Sequence, residues 1–251
     1  MQKDFWQYLQ QFTPARIARG RAGHSIPTQE LLKFQADHAQ ARDAVHSILD
    51  VATLKNQFQT NLDLPIVCLR SEVEHRSQYL QRPDLGRTLH QSSRQQLQDL
   101  TATQNDICFV ITDGLSAKAI QENAFELIQS LTEKLQKMEW QIAPICLVEQ
   151  GRVAIADEIG FLLNAEIVMV LIGERPGLTS PNSMGAYVTL HPRVGMTDES
   201  RNCVSNIRPE GMNTLIASNK LLYLLTEIKT KKISGVSLKD NESIGFTLNS
   251  V

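Results

Sequence analysis

The chain has 251 residues, of which 42% are hydrophobic and 21% charged, the composition of an ordinary globular protein long enough to bury a core. Its formal net charge of −2 gives no global electrostatic case for binding nucleic acid or an anionic membrane. The sequence has no apolar signal segment near Met1 and no apolar run near the roughly 20 residues that span a bilayer, so we expect a soluble, unsecreted protein without a membrane partner.

The first hundred residues are predicted to form a mainly helical region. Thr13-Pro14 is a helix-start signal, because proline fixes a helix-compatible φ. Thr28 resembles an N-cap, Glu30 suits the first turn, and apolar positions recur at helical spacing over residues 31–49. The other elements predicted in this region are a short strand over residues 65–69 and a polar-faced helix over residues 85–100.

A short basic segment lies between these first helix signals. Arg16, Arg19 and Arg21 are punctuated by Gly20 and Gly23. Such a cluster is usually a solvated face, and docking of a partner is the second interpretation.

After residue 101, apolar runs alternate with helical patterns. The predicted strands cover 107–112, 142–148, 167–172 and 186–190, and the predicted helices cover 115–138, 157–163 and 213–229. Continuous apolar strands alternating with helices favour a parallel sheet that is covered on both faces. We therefore predict an α/β fold, with a Rossmann-like, mostly parallel sheet and helices on both faces, preceded by the helical N-terminal region. The predicted divisions are 1–100, 101–232 and a polar tail, 233–251, that is loosely held or docked on a partner.

Two loops are predicted to form a ligand edge. The apolar run that ends at Gly173 is followed directly by Glu174 and Arg175, and ligands of open α/β sheets lie at the carboxyl ends of strands. Glu174 is either half of a solvated pair with Arg175 or an acceptor for a ligand's amide or hydroxyl. The stretch 201–211 is polar and poor in hydrophobic residues, so we interpret it as a second loop rather than a core element.

Two further turns at this edge stay open to a structural or a functional interpretation. Asp113-Gly114 follows a strand, where it either caps the turn or contacts a ligand. Gly151, before Arg152 and Val153, is explained by a tight turn on residue type alone. The fingerprint G-x-G-x-x-G is absent at Asp113, and an aspartate there repels phosphate, which argues against an NAD-dependent dehydrogenase.

No metal site or catalytic constellation is predicted. The histidines 24, 38, 46, 75, 90 and 191 do not combine with cysteines or carboxylates at ligand spacing. Cys68, Cys108 and Cys146 lie in apolar runs and are expected to be free, buried thiols, whereas Cys203 lies among polar residues where it could face a ligand.

Several longer motifs resemble one family. They are FTPARIARGRAG near the N-terminus, DGLSA at 113–117, IGERPGL from Ile172, SMGAY from Ser183 and RNCVSNIRPEG from Arg201. Together they resemble the small subunit of ethanolamine ammonia-lyase, from about Phe12 to about Gly235.

The resemblance implies a function that the residues alone do not give. Members of that family pair, in a hetero-oligomer, with a large subunit that folds as a TIM barrel and carries out the radical chemistry, while the small subunit covers one face of adenosylcobalamin. The resemblance thus implies a lyase that converts ethanolamine to acetaldehyde and ammonia, with the cofactor supplying the difficult step. Val153, Glu174 and Cys203 match family positions that contact the cobalamin. No residue of this chain would be catalytic or a metal ligand, and D-x-H-x-x-G, the motif of a protein histidine below cobalt, is absent.

Three hypotheses therefore compete. The first is the cobalamin-binding subunit just described; the second is a free-standing Rossmann enzyme that binds a nucleotide; the third is a structural partner without ligand contact. Because FTPARIARGRAG begins near Met1, without the longer extension that enteric members use for packing into a bacterial microcompartment, we expect a cytoplasmic protein, with the microcompartment lumen as the alternative.

Overall fold

The computed structural model describes residues 5–13, 15–100 and 103–241. The helices are α1 (Phe5–Leu9), α2 (Thr28–His46), α3 (Val51–Asn61), α4 (Arg76–Gln81), α5 (Gln91–Gln98), α6 (Ala117–Lys137), α7 (Ile155–Leu162) and α8 (Thr214–Lys231). The strands are β1 (Ile66–Arg70), β2 (Asn105–Thr112), β3 (Ile145–Glu149), β4 (Ala165–Gly173), β5 (Met184–Leu190) and β6 (Arg201–Ile207).

All six strands form one sheet in the order β1-β3-β2-β4-β5-β6. The pairs β1–β3, β3–β2 and β2–β4 are parallel, whereas β4–β5 and β5–β6 are antiparallel. The α/β fold with a mostly parallel sheet is therefore confirmed. The parallel connections are long enough to hold helices, as crossovers between parallel strands must be.

Helices pack on both faces of the sheet and create two cores. On one face, here called the α6 face, residues such as Phe58, Leu127 and Leu221 of α3, α6 and α8 pack on alternate residues of the strands. On the opposite face, the α7 face, Leu97 of α5 and Ile159 of α7 cover the other set. Because β2 and β4 are covered on both faces, they read as continuous apolar runs.

Most of the predicted elements are present within a few residues of their predicted bounds. Side-chain caps explain the starts of the two long helices on the α6 face: Ser116 accepts a hydrogen bond from the Ala119 amide, and Asn213 accepts one from the Ile216 amide. The N-cap prediction for Thr28 is wrong, because Thr28 is already helical and Pro27 occupies the cap position without a side-chain bond. The start signal at Thr13-Pro14 involves Pro14, which lies outside the described residues.

The prediction of a single helix over residues 85–100 is wrong. The segment begins with a 3₁₀ turn, Leu85–Arg87, and Leu89 then bridges to Ser71 beside the sheet. Only α5 is helical, and its N-cap is His90, whose imidazole accepts a hydrogen bond from the Ser92 amide. The buried Leu89 explains the break, since it packs in the core of the α7 face from an extended backbone.

The loop predicted over residues 201–211 is also wrong in its first half, because β6 is a strand. It pairs with β5, with Tyr187 opposite Cys203 and Thr189 opposite Arg201. Its polar composition reflects an edge position, since only Val204 and Ile207 reach the core of the α6 face.

The start of the predicted tail is attached to this chain rather than loose. Asn202 and Gly235 exchange two hydrogen bonds, Ser234 donates to the Ser200 carbonyl, and Leu238 is buried. These contacts cover the outer edge of β6. Residues 242–251 of the tail lie outside the described residues, and the division of the chain at 100 and 232 stays a prediction.

Candidate functional site

One part of the sheet is bare on the α7 face. Among the described residues, the core of that face is built on β1 to β4, and Tyr187 is its one contributor from β5 and β6. On β6, Cys203 and Ser205 are exposed and alternate with the buried Val204. A partly apolar sheet surface left uncovered is typical of a binding or docking surface.

Glu174 lies at one end of this bare surface, at the carboxyl end of β4 as predicted. Its carboxylate accepts a hydrogen bond from Ser183 Oγ at 2.5 Å and a longer one from the Asn206 amide at 3.3 Å. The Glu174 carboxylate is thus held by residues at the start of β5 and the end of β6. Arg175 is exposed and does not hold it. Because a carboxylate has about four acceptor positions, the half-buried Glu174 retains capacity for a donor from a ligand.

Gly185 allows this position of the carboxylate. A Cβ at residue 185 would lie 3.0 Å from Glu174 Oε1 and 3.4 Å from the Tyr187 ring. Glu174 and Tyr187 therefore meet over a glycine on β5 and form one continuous surface.

Tyr187 and Cys203 occupy the middle of the bare surface. They are directly opposite each other on β5 and β6, so their side chains share a face. Partial burial raises the pKa of Tyr187 to about 12, with Cys203 and Glu174 adding to the shift. Partial burial also raises the pKa of Cys203, against the opposing effect of a hydrogen bond with Tyr187. Both groups are therefore neutral near pH 7, and Cys203 is not a thiolate nucleophile there.

Val153 lies beside the other edge of the bare surface, in a cavity of about 650 Å³ that it shares with Tyr187. We call this the Val153 cavity; its further walls are the turn before α5, the start of α7 and the loop 194–198. The volume is in the range of sites for small organic ligands. Tyr187 thus connects Val153 to Cys203 and Glu174, and the three residues predicted from the sequence lie along one surface.

A buried ion pair fixes the loop that walls this cavity. Arg201 donates to both carboxylate oxygens of Asp157, at 2.6 and 2.7 Å, and both side chains are buried. The same guanidinium donates to Thr189 Oγ1 and to the Met196 carbonyl. Because Asp157 belongs to α7 and Met196 to the loop, this pair joins two walls of the cavity to the edge of the sheet.

The crevice where Rossmann folds bind nucleotides is filled by this chain. Chain connections leave β2 and β3 toward opposite faces, and ligands of open α/β sheets bind at such a switch point. Here α4 lies over it: Tyr79 is fully buried, and the guanidinium carbons of Arg76 and Arg152 lie over its ring, 4.6 and 3.9 Å from the centroid. Tyr79 Oη also donates to the Gly151 carbonyl.

The same contacts account for Asp113 as a structural residue. Its carboxylate accepts hydrogen bonds from the Gly114 amide at 3.1 Å and from Thr112 Oγ1 at 3.2 Å, and it lies 3.4 Å from Arg76. Burial raises the pKa of Asp113 to about 6, against the opposing effects of Arg76 and these hydrogen bonds. Gly114 has φ +57, and a Cβ there would lie 2.3 Å from the Gly173 carbonyl oxygen, so the turn requires glycine.

The remaining predicted candidates have structural partners. Arg16 pairs with Asp37 at 2.6 Å and Arg19 with Glu30 at 3.0 Å, so two charges of the basic segment are neutralised by α2. In the described part of the chain, no group of three or more His, Cys, Asp or Glu residues is arranged to hold a metal ion. No helix among those residues is long and apolar enough to cross a membrane.

Sequence reasoning missed Tyr187 and the arginines of the cavity. Tyr187 lies in the quoted SMGAY motif, and its alternation with buried Ala186 and Val188 is the pattern of a strand with one open face. Arg87 and Arg152 carry no such signal, because the 3₁₀ turn Leu85–Arg87 and the turn after β3 bring them to one cavity from distant positions in the sequence.

The residues present suit a large ligand that is partly apolar and rich in amides. Val153 offers an aliphatic contact, Cys203 a neutral thiol and Glu174 an acceptor. Arg152 adds a cation to the same cavity, and its Nε atom is buried and lacks a hydrogen-bond partner within the described residues.

Comparison with known proteins gives one consistent family. The family model described as Ethanolamine ammonia-lyase light chain (EutC) matches residues 3–239. "Ethanolamine ammonia-lyase small subunit" of Azotobacter vinelandii is 51% identical over 242 residues, which cover 95% of this chain and 89% of the relative. The protein of the same name from Ralstonia nicotianae is 52% identical over 238 residues, covering 94% and 88%. That of Pseudomonas syringae pv. tomato is 48% identical over 242 residues, covering 95% and 84%. The segment matched by the family model includes Val153, Glu174 and Cys203.

Proposed function

The chain belongs to the ethanolamine ammonia-lyase light-chain family, and we propose that it covers one side of adenosylcobalamin in an enzyme that converts ethanolamine to acetaldehyde and ammonia. The observation that carries the proposal is the bare surface on β5 and β6. It brings Val153, Cys203 and Glu174 together through Tyr187, although they are far apart in the sequence.

When bound, adenosylcobalamin supplies the radical that abstracts hydrogen from the substrate. The residues of this chain bind and shield. Val153 would provide an apolar contact, and Cys203, exposed on β6 opposite Tyr187, would contact the cofactor as a neutral group that adds no charge. Glu174 accepts a hydrogen bond from an amide of the cofactor's side chains, because Ser183 and Asn206 already hold the carboxylate in place.

A large subunit completes the site in this proposal. The Val153 cavity holds only part of a molecule as large as cobalamin, and the bare sheet surface is open rather than enclosed. A second chain must therefore cover the rest of the cofactor. A TIM barrel in that role would present the carboxyl ends of its strands, where such barrels carry their active sites.

The exposed helix α2 is proposed as part of the contact with this large subunit. Of its 19 residues only Ala44 is buried, whereas Leu31, Leu32 and Phe34 are 43%, 59% and 40% exposed. A helix that buries so little of its apolar surface in its own chain is expected to gain stability from a partner. In cells we propose a cytoplasmic complex.

The free-standing nucleotide-binding enzyme is disfavoured by the filled switch point. Nucleotide would have to displace Tyr79 and both stacked guanidinium groups, and it would meet the Asp113 carboxylate. A structural partner without ligand contact remains the competing proposal for the test below.

The proposal is tested by mixing this chain with the large subunit from the same source and measuring ammonia release from ethanolamine. We expect activity only when both chains and adenosylcobalamin are present. Cys203→Trp should raise the KM for the cofactor by about tenfold or more, because an indole fills the surface on which the cofactor lies, whereas Cys203→Ala should change it little. A normal cofactor KM for Cys203→Trp in an assembled complex would favour the purely structural partner.

A further inference from the structure

The Val153 cavity and the Arg201 guanidinium that pairs with its wall together carry an excess of positive charge. Three arginines and three acidic residues line it: Arg87, Arg94, Arg152, Asp157, Glu158 and Asp198. Among the described residues, Arg94 is paired with Glu158 at 2.6 Å, and Arg201 pairs with both Asp157 and Asp198. With Arg201 included, four guanidinium groups face three carboxylates, which leaves a net charge of +1, and no ion pair within the described residues engages Arg87 or Arg152.

Arg152 is held in place with donors to spare. Its guanidinium lies on the face of Tyr79, and its Nη2 donates to the Tyr79 carbonyl at 2.9 Å. The Nε atom is buried without a hydrogen-bond partner. The guanidinium is therefore fixed against Tyr79, and its Nη1 donors, which have no partner among the described residues, are available to an anion in the cavity.

A second guanidinium increases the attraction for an anion. The Arg76 guanidinium also lies over the Tyr79 ring, 4.6 Å from its centroid, and its Nη2 atom is buried without a hydrogen-bond partner among the described residues. The one carboxylate beside it, Asp113, has a pKa raised by burial, so it neutralises Arg76 incompletely around pH 6. The stack behind the cavity wall is therefore positive.

We infer that the Val153 cavity binds a phosphodiester through Arg87 and Arg152. The inference rests on the proposed function, in which the phosphodiester is that of the cobalamin's own nucleotide loop. Arginine suits this group because its planar fork of N–H donors matches phosphate oxygens. The neighbouring Val153 and Tyr187 then contact the attached sugar and base, and the same residues lead to Cys203 on the bare surface.

The inference is tested by equilibrium dialysis of the assembled complex against cyanocobalamin and against cobinamide, which lacks the nucleotide loop and its phosphate. Arg87→Gln is expected to weaken the binding of cyanocobalamin by about 10- to 100-fold and to leave that of cobinamide within about twofold. Arg87→Lys should recover part of the loss. Arg193→Gln, which removes an exposed arginine outside the cavity, should alter neither Kd.

Three results would overturn the inference. Equal losses for both corrinoids would place the effect of Arg87 elsewhere, and unchanged cyanocobalamin binding would exclude a phosphate contact. Inorganic phosphate that binds the wild-type complex in an Arg87-dependent way without competing with cyanocobalamin would assign the cavity to free phosphate. A wild-type complex that binds neither corrinoid would instead refute the proposed function as a whole.

Discussion

At the scale of single residues, environment decides what each polar group can do. Glu174 and Asp113 both follow a strand at the same edge, yet one is half-buried with spare acceptor positions and the other is buried among its own turn's donors. The sequence predicted the position of both residues, because strands that end in a polar residue are easy to locate. It left the role of Asp113 open, because the deciding contact comes from Arg76, 37 positions away.

Asp113 predicts a specific dependence of stability on pH. Because its folded-state pKa is raised to about 6, the folded state holds this proton more tightly than the unfolded state does. The free energy of unfolding should therefore fall as pH rises from about 4 to about 6, by about 3 kcal/mol from this group. Urea unfolding of the wild type and Asp113→Asn should show that difference between the two proteins, and the exposed control Asp63→Asn should not. A wild-type stability that rises more steeply than that of Asp113→Asn over this window would mean that Arg76 dominates.

Cys203 predicts a pattern of thiol reactivity. It is the exposed cysteine, but its pKa is raised by partial burial, so alkylation by iodoacetamide should begin at Cys203 with a pH midpoint above the ordinary cysteine value. Tyr187→Phe should move the midpoint higher, since it removes the hydrogen bond that opposes the shift. Peptide mass spectrometry of the alkylated full chain measures both effects. Faster modification of Cys108 or Cys146 would contradict the burial assigned to those residues.

At the scale of elements, the sequence predicts a strand best where both faces of that strand are buried. The apolar runs of β2 and β4 predict those strands closely, whereas the polar sequence of β6 favours a loop, because an edge strand with one bare face has few apolar residues. α4 was missed for a related reason. It is six residues long and is held by the Arg152 guanidinium, which stacks on Tyr79 and donates to its carbonyl, and by the Gly151 carbonyl, which accepts from Tyr79 Oη; no local pattern reveals these contacts.

The ion pair between α7 and β6 predicts a large effect on stability. Asp157→Asn leaves the buried Arg201 with only the exposed Asp198 carboxylate, at 3.3 Å, to balance its charge, so the free energy of unfolding should fall by about 3–5 kcal/mol. Asp198→Asn removes the exposed carboxylate that contacts the same guanidinium and should cost less than about 1 kcal/mol. Urea denaturation of the two variants compares them directly. Similar losses for both would mean that the buried pair adds nothing beyond a surface contact.

At the scale of the whole molecule, one part of the described chain has a fully covered core and another part leaves apolar residues exposed. The sheet core from β1 to β4 is covered on both faces, while α2 and the bare surface of β5 and β6 expose residues that a partner would cover. Composition alone indicates a globular α/β protein. The proposal that it works as part of a complex rests on the family and on these two surfaces, since composition does not record which apolar residues fail to reach the core.

The exposed face of α2 predicts where assembly can be disrupted. Leu32→Glu should weaken association with the large subunit by about tenfold or more, because a charge would be placed in an apolar contact. It should leave the free energy of unfolding of the isolated chain within about 0.5 kcal/mol, since Leu32 is exposed there. Met138→Glu changes an exposed apolar residue at the far end of α6 and serves as the matched control. Analytical ultracentrifugation measures the association, and normal assembly of Leu32→Glu would remove α2 from the interface.

The antiparallel turn after β4 has a consequence for how this surface arises. A parallel successor to β4 would need a crossover, and a right-handed crossover lays its helix across one face of the new strands. Residues 174–183 return the chain as a hairpin instead, and the next connection leads directly into β6. A continued βα alternation would place a third helix beside α7, and the described chain has no α-helix between β4 and β6 to fill that place. The α7 face of β5 and β6 is therefore uncovered because of the strand topology, whatever side chains those two strands carry.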